Sequence, residues 1–186
     1  LELLMHKAAT DTPQYHGVLS RFRDVVAVDA TVIKVADELR SIWRGCRHSR
    51  PAAVKVHTRI RALTGELLRY RITPETYGDN KAFGVSHQDR GTLFLFDRGY
   101  CSPTLWHHVH RVGAYFLTPL PTDYDPVVQV EHRVHRGRAR KLKDRTLRQA
   151  LKGLRRTVVD VGVVFRVYVR KYRSRTGHNL QHVFRV

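Results

Sequence analysis

Residues 24–35 read DVVAVDATVIKV, and residues 93–97 read LFLFD. Both stretches are rich in β-branched and aromatic residues, which is typical of strands buried in a sheet. Each contains one prominent acidic residue, since Asp29 interrupts the first stretch and Asp97 closes the second. A charge in a buried strand is costly unless another group pairs with it. The two carboxylates are therefore the first candidates for a functional role.

The segments around these strands predict a mixed α/β sheet with helices packed on it. Residues 54–63 and 67–72 alternate apolar and polar side chains on either side of a Gly-containing turn, which is the pattern of a β-hairpin. Ser102 followed by Pro103 predicts the start of a helix that runs to about Val112. Three further segments are expected to be a short helix (36–44), a loop with some helix (73–91) and a strand (114–117).

The composition limits the class of protein. The chain has 186 residues, of which 42% are hydrophobic, enough for a packed domain with a smaller insertion. No run approaches the roughly 18 consecutive apolar residues of a membrane span, so we expect no membrane partner. Two cysteines are too few for a disulfide scaffold, so we expect a reducing compartment. The first residue is Leu rather than Met, which leads us to expect a fragment.

The positive charge is concentrated at one end of the chain. The net charge is +18, from 34 Lys and Arg against 16 Asp and Glu. Residues 1–132 hold 17 basic and 14 acidic residues, whereas residues 133–186 hold 17 basic and two acidic residues. The densest run, 133–156, has 11 Lys or Arg in 24 positions. Such a block repels itself unless a phosphate backbone supplies counter-charge, which predicts a nucleic-acid partner; a solvated basic helix face is the alternative.

The last third of the chain has a different character. Three prolines between residues 119 and 126 mark a boundary, and we expect residues 120–178 to form a basic, β-rich insertion. The patterns within it predict a strand over 127–134, an amphipathic basic helix over 141–154 and a long strand over 158–172. Gly177 is expected to turn the chain into a final strand-like run, 179–186.

Asp29 and Asp97 suit a metal site if their strands lie side by side. Hard carboxylate oxygens favour Mg²⁺ or Mn²⁺, and such ions also bind the phosphate oxygens of a substrate. An ion in that position neutralises phosphate charge and activates the attacking oxygen. The alternative is structural: an Asp at the end of a strand that caps a helix or pairs with Arg98.

Two motifs resemble one family of enzymes. VVAVDAT (25–31) resembles the first catalytic motif of DDE transposases of the bacterial insertion sequence four family, and LFLFDRGY (93–100) resembles their second. The hairpin segment 55–68 and GAYFL (113–117) are also similar to parts of that catalytic core. The resemblance covers residues 20–120 well, and residues 120–186 match it as an insertion.

The resemblance implies a ribonuclease-H-like fold in which the first and fourth strands are neighbours. It implies metal-dependent cleavage and transfer of DNA strands at transposon ends, with Asp29 and Asp97 as the first two ligands of Mg²⁺ or Mn²⁺. It divides the chain into a catalytic core (1–119), the insertion (120–178) and the start of a return strand (179–186). It also implies double-stranded DNA as partner, paired protomers in the full-length protein, and a cytoplasmic, nucleoid-associated location in a bacterium.

The third carboxylate of the family is missing. Its pattern is Tyr-x2-Arg-x3-Glu-x6-Lys, and the one Glu after Asp97 is Glu131, which lacks these surroundings. Tyr172 and Arg175 keep the first spacing, but Asn179 stands in the position of the Glu. We therefore expect a truncated chain that is inactive by itself.

The basic residues supply candidate DNA contacts. Arg98 is expected to orient Asp97 or to contact a phosphate. The basic run is expected to bind phosphates with a steep dependence on salt and weak sequence selectivity. Its candidates are Arg133, Arg136, Arg138, Arg140, Lys141, Lys143 and Arg145.

Other interpretations of the sequence are weaker. His107 and His110 are three residues apart, but no Cys or His pair has the spacing of a zinc site. An aspartate-nucleophile phosphatase needs a second Asp two residues after the first, and Thr31 stands there. The alternative that survives is a non-catalytic, basic DNA-binding protein or an inactive remnant of a transposase.

Overall fold

The structure is a computed structural model that describes residues 15–121, 123–132, 141–152, 159–165, 168–170, 177–179 and 182–186. The chain divides into two compact units, Leu1–Pro119 and Leu120–Val186. The first unit contains one sheet, and the described part of the second unit contains two. The functional roles assigned to these segments from the sequence remain predictions. No helix among the described residues has the length and apolarity to cross a bilayer.

The first unit is built on a six-stranded mixed sheet. Its strands are β1 (Asp24–Lys34), β2 (Arg44–Arg47), β3 (Arg50–Arg61), β4 (Leu67–Pro74), β5 (Thr92–Phe96) and β6 (Tyr115–Leu117). The path through the sheet runs β2-β3-β1-β5-β6, and β4 pairs with β3. The β1–β5 and β5–β6 pairs are parallel, and the other pairs are antiparallel. This mixed α/β arrangement agrees with the predicted fold class and is compatible with a ribonuclease-H-like fold.

Strand β2 is absent from the sequence prediction, because its four residues show no apolar alternation. It forms a tight antiparallel pair with the start of β3, in which Arg47 faces Arg50. A Cβ atom on Gly45 would lie 1.9 Å from the carbonyl oxygen of Arg50, so this close approach requires glycine. The predicted helix over 36–44 is limited to a 3-10 helix, Asp37–Ser41, because the chain enters β2 soon after it.

One helix of this unit begins where its flanking residues predict, and another lies in a segment of ambiguous pattern. Helix α1 (Asp79–Ala82) is a single turn within the segment expected to be a loop with some helix. Helix α2 (Pro103–Arg111) begins after Ser102, whose Oγ accepts a hydrogen bond from the backbone N–H of Leu105 at 3.4 Å. Gly113, with a φ of 75°, ends this helix and leads into β6.

The main core cluster of the first unit lies on one face of the sheet. Phe83, which follows α1, makes edge-to-face contacts with Phe94 and Phe96 at centroid distances of 5.1 and 5.0 Å. Such aromatic pairs add about 0.5–1.5 kcal/mol each beyond the burial of their area. The remaining members of the cluster are Val26, Val28, Tyr100, Leu105, Val109 and Ala114.

The described part of the second unit contains two small antiparallel sheets and one short helix. Its elements are β7 (Val127–Glu131), α3 (Leu147–Leu151), β8 (Val161–Val164), β9 (Tyr168–Arg170), β10 (Gly177–Asn179) and β11 (Val183–Arg185). Strand β8 lies between β7 and β11, and β9 pairs with β10.

Three predictions for this unit were wrong in extent. The helix expected over 141–154 begins only at Leu147, because Lys141 and Asp144 adopt positive φ angles of 57° and 67° and Thr146 caps the helix. The described part of the long strand expected over 158–172 forms two strands, β8 and β9, in different sheets. Gly177, expected in a turn, opens β10 opposite Arg170.

Candidate active site

Asp29 and Asp97 occupy equivalent positions on two neighbouring parallel strands. The last paired residues of β1 and β5 are Val28 and Phe96, and each aspartate is the next residue of its chain segment. Val28 and Phe96 are buried in the core cluster, whereas both aspartates are exposed.

The exposure of Asp29 differs from what its apolar strand suggests. Strand β1 is buried or half-buried as far as Val28, but from Asp29 onward its residues are exposed or only half-buried. The Asp29 charge is therefore hydrated and needs no partner for stability. A hydrated carboxylate at the end of the buried part of a strand can accept a ligand without first breaking an ion pair.

One oxygen of Asp97 is already committed to the fold. Its Oδ1 accepts a hydrogen bond from the backbone N–H of Gly99 at 2.9 Å, which caps the 3-10 turn Arg98–Tyr100. Asp97 therefore has the capping role that was given as the structural alternative for an Asp at the end of a strand. The cap holds the carboxylate in a fixed orientation and leaves Oδ2 available to a ligand.

A third carboxylate, which sequence reasoning missed, borders this turn. Asp79 opens α1, and its Oδ1 lies 2.9 Å from Lys55 Nζ and 3.8 Å from His57 Nδ1. A Cβ atom on Gly99 would lie 2.6 Å from Asp79 Oδ2 and 3.2 Å from Asp97 Oδ1. Gly99 is therefore the point at which the two carboxylates approach each other. The one sequence signal for Asp79 is an acidic residue that opens a helix after a glycine.

Tyr100 is buried close enough to Asp79, Asp97 and Asp29 for their charges to act on its hydroxyl. Its side chain is 1% exposed and stacks on Phe96 at a centroid distance of 5.4 Å. Burial raises the pKa of Tyr100, and the nearby charges of Asp79, Asp97 and Asp29 raise this pKa further. The hydroxyl therefore remains protonated at neutral pH and is a hydrogen-bond donor.

Asp29 and Asp97 supply carboxylate oxygens, the type of ligand that a hard divalent cation such as Mg²⁺ prefers. Mg²⁺ is commonly held in proteins by one or two carboxylates, with water and substrate phosphates completing its shell. Within the part of the chain that the structure describes, no group of three or more His, Cys, Asp or Glu residues is placed to hold a metal ion. Glu131, the last Glu of the chain, accepts a hydrogen bond from the Leu142 N–H in the second unit.

The predicted DNA contacts fall into two groups. Arg98 is exposed beside Asp97, and Lys141, Lys143 and Arg145 are exposed around the turn that precedes α3. The other four predicted contacts lie outside the described residues: Arg133, Arg136, Arg138 and Arg140.

The sequence pattern of the transposase DDE domain matches residues 20–177, and the chain belongs to that family. Transposases with this domain act on DNA and generally use divalent metal ions. No curated protein and no solved structure matches the chain.

Proposed function

We propose that this chain carries the first two catalytic carboxylates of a DDE transposase of the insertion sequence four type. The observation that supports this most directly is the register of β1 and β5, which ends on Val28 and Phe96 and is followed by Asp29 and Asp97. The family match over residues 20–177 supports the same activity. The reaction would be hydrolysis of a phosphodiester at a transposon end, followed by transfer of the freed strand.

Each residue of the site has a defined task in this reaction. Asp29 and Asp97 hold the divalent cation through their carboxylate oxygens, and Asp97 is pre-oriented by the Gly99 N–H. When bound, Mg²⁺ or Mn²⁺ neutralises the phosphate and activates the attacking oxygen. Arg98 presents its exposed guanidinium to a phosphate next to the seat.

The finer parts of the proposal concern the rest of the chain. Residues 1–119 act as the catalytic core and the basic residues of 120–178 bind double-stranded DNA phosphates, in a bacterial cytoplasm and with protomers acting in pairs. The helical Glu pattern that supplies the family's third metal ligand has no match in these 186 residues. We therefore expect this chain by itself to bind DNA and metal without cutting.

Titration of the chain with Mn²⁺, followed by electron paramagnetic resonance, tests the metal seat. Asp29→Asn and Asp97→Asn should each weaken Mn²⁺ binding by tenfold or more, because each removes one of two charged ligands. Asp37→Asn is the matched control, since Asp37 is exposed in the same unit and lies 3.8 Å from the exposed Lys34. Equal weak binding by the wild type and the three variants would contradict the proposal.

The same titration distinguishes the transposase proposal from a second candidate function. The net charge of +18 also suits a DNA-binding protein without catalysis. That alternative predicts DNA binding without a specific Mn²⁺ site. Cleavage of DNA by this chain that is lost in Asp97→Ala would instead show that the chain is active alone.

A further inference from the structure

A cavity of about 540 Å³ opens on the face of the sheet that carries the core cluster, beside the β3–β4 hairpin. Its walls come from that hairpin and from residues 82–86, the segment at the end of α1 and beyond it. Val28 and Tyr100 also line it, and along the chain they lie one residue from Asp29 and three residues from Asp97. The cavity therefore adjoins the end of the sheet that carries the two aspartates.

Three arginines give the cavity its charge. The β3–β4 register pairs Arg59 with Arg69 and His57 with Arg71, so all four side chains lie on one face of the hairpin. Arg59 is committed to the fold, because it lies 3.6 Å from Asp89 and 4.2 Å from the centre of the Phe83 ring. Burial lowers the pKa of Arg59, the Asp89 carboxylate partly offsets this shift, and the Arg69 charge adds to it.

The other two arginines are available to an anion. Arg71 donates a hydrogen bond to the Ala82 carbonyl oxygen at 3.3 Å, and its guanidinium lies over the ring of Tyr77. Arg69 is exposed, and among the described residues it has no ion pair with a carboxylate. Two guanidinium groups of like charge on adjacent positions of one strand face are stabilised when an anion lies between them.

Two buried polar atoms in the cavity lining also lack a hydrogen-bond partner. These atoms are Tyr100 Oη and His57 Nδ1, and neither has such a partner within the described part of the chain. His57 Nε2 lies 2.9 Å from Thr73 Oγ1, and His57 Nδ1 lies 3.8 Å from Asp79 Oδ1. The protonated Tyr100 hydroxyl is a hydrogen-bond donor. Buried polar atoms in folded proteins are nearly always satisfied, which indicates that this cavity takes a polar, hydrated ligand.

We propose that this cavity binds a backbone phosphate of the DNA strand whose neighbouring phosphate lies at Asp29 and Asp97. This inference rests on the proposed function and adds the route that the DNA strand takes across the protein, which we call the strand path. Arg69 and Arg71 hold the phosphate oxygens, and the Tyr100 hydroxyl donates a hydrogen bond to one of them.

The test compares two double variants of equal charge. Arg69→Gln with Arg71→Gln removes the cavity arginines, and Arg40→Gln with Arg44→Gln removes two exposed arginines of the same unit. Affinity for a fluorescent oligonucleotide, single- or double-stranded, is measured by anisotropy between about 50 and 300 mM salt. The cavity variant should lose about tenfold in affinity. The slope of its log affinity against log salt concentration should become shallower by about 0.7–0.9 for each phosphate contact removed. Equal losses in both variants would mean that only overall charge matters, and would overturn the proposal.

Tyr100→Phe provides a further variant that keeps the packing of the ring. It should weaken DNA binding several-fold with an unchanged salt slope, because it removes a hydrogen bond but no charge. An unchanged affinity would remove Tyr100 from the site. Thermal unfolding of each variant establishes that it is folded.

Inorganic phosphate distinguishes a free anion from a DNA strand. If phosphate binds through Arg69 and Arg71 while DNA affinity is unaffected by their loss, the cavity takes a free anion and the strand path is wrong. The Mn²⁺ titration of Asp29→Asn and Asp97→Asn does not involve these arginines. Failure of the metal seat and failure of the cavity are therefore separate results.

Discussion

Asp79 Oδ2 would lie only 2.6 Å from a Cβ atom on Gly99, the residue whose N–H holds Asp97 Oδ1. The carboxylate of Asp79 thus fills the space beside the turn that orients Asp97. Lys55 fixes Asp79 through an ion pair of 2.9 Å. We therefore expect the turn that orients Asp97 to be sensitive to any side chain at position 99.

Gly99→Ala tests that contact. The new methyl group must displace Asp79 or the turn, and we expect a loss of about 1–3 kcal/mol in the free energy of unfolding. Mn²⁺ affinity should fall as well, because Asp97 loses its orientation. Gly84→Ala is the control, since no heavy atom lies within 4 Å of a Cβ placed there. Urea denaturation and the Mn²⁺ titration measure both effects; equal behaviour of the two alanine variants would contradict this role of Gly99.

The Lys55–Asp79 pair should be coupled more strongly than a surface pair. Its side chains are 14% and 23% exposed, so solvent screens them less than it screens Lys34 and Asp37, which are 56% and 57% exposed. In double-mutant cycles with Lys→Met and Asp→Asn, we expect coupling of about 1–2 kcal/mol for the first pair. The second pair should give about 0–0.5 kcal/mol. Chemical denaturation measures both, and similar values for the two pairs would contradict this description of Asp79.

His57 should make the protein less stable at acidic pH. Burial lowers the pKa of His57 below its ordinary 6.5, and the charge of Asp79 only partly offsets this shift. As pH falls below 6.5, the unfolded chain takes up a proton that the folded chain does not, so the free energy of unfolding decreases. His57→Gln should remove this part of the pH dependence between about pH 7 and the lower folded pKa.

His48→Gln is the control for that measurement, because His48 is exposed in the β2–β3 turn. Denaturation with urea at several pH values gives the two profiles. A wild-type profile retained in His57→Gln would show that the acid sensitivity arises elsewhere.

The Ser102 cap of α2 should contribute measurably to stability. Its Oγ accepts from the Leu105 N–H, and the helix buries Leu105, Trp106 and Val109. Ser102→Ala should cost about 1 kcal/mol, whereas Ser102→Asp should retain most of the stability because a carboxylate also caps a helix. Thermal unfolding compares the two variants, and equal losses would exclude a capping role.

Much of the first unit is predictable from local pattern. The β-branched and aromatic runs around Asp29 and Asp97 predict β1 and β5, and Ser102 predicts the start of α2. The pairing of β1 with β5 is not a local property, because Val28 and Phe96 are distant along the chain and become neighbours only in the sheet. The expectation that these strands adjoin came from a family resemblance rather than from the pattern of either strand.

The parts that sequence reasoning missed depend on tertiary contacts. Asp79 is held near the Asp97 turn by Lys55 and by the close approach of Gly99, neither of which a local pattern reveals. The helix expected over 141–154 starts late because Lys141 and Asp144 adopt left-handed backbone angles that an apolar periodicity does not register. Asp29 was expected to lie in a buried strand, but the sheet leaves that end of β1 exposed.

Joint binding of one divalent cation by Asp29 and Asp97 can be tested by metal-directed cleavage of the polypeptide. Fe²⁺ bound in place of Mg²⁺, with ascorbate and peroxide, generates hydroxyl radicals that cut the chain close to the metal. We expect two cuts, one near Asp29 and one near Asp97, both suppressed by excess Mg²⁺ or Mn²⁺ and both lost in either Asp→Asn variant. Cuts near only one of the two aspartates, or only at other positions, would contradict a shared cation.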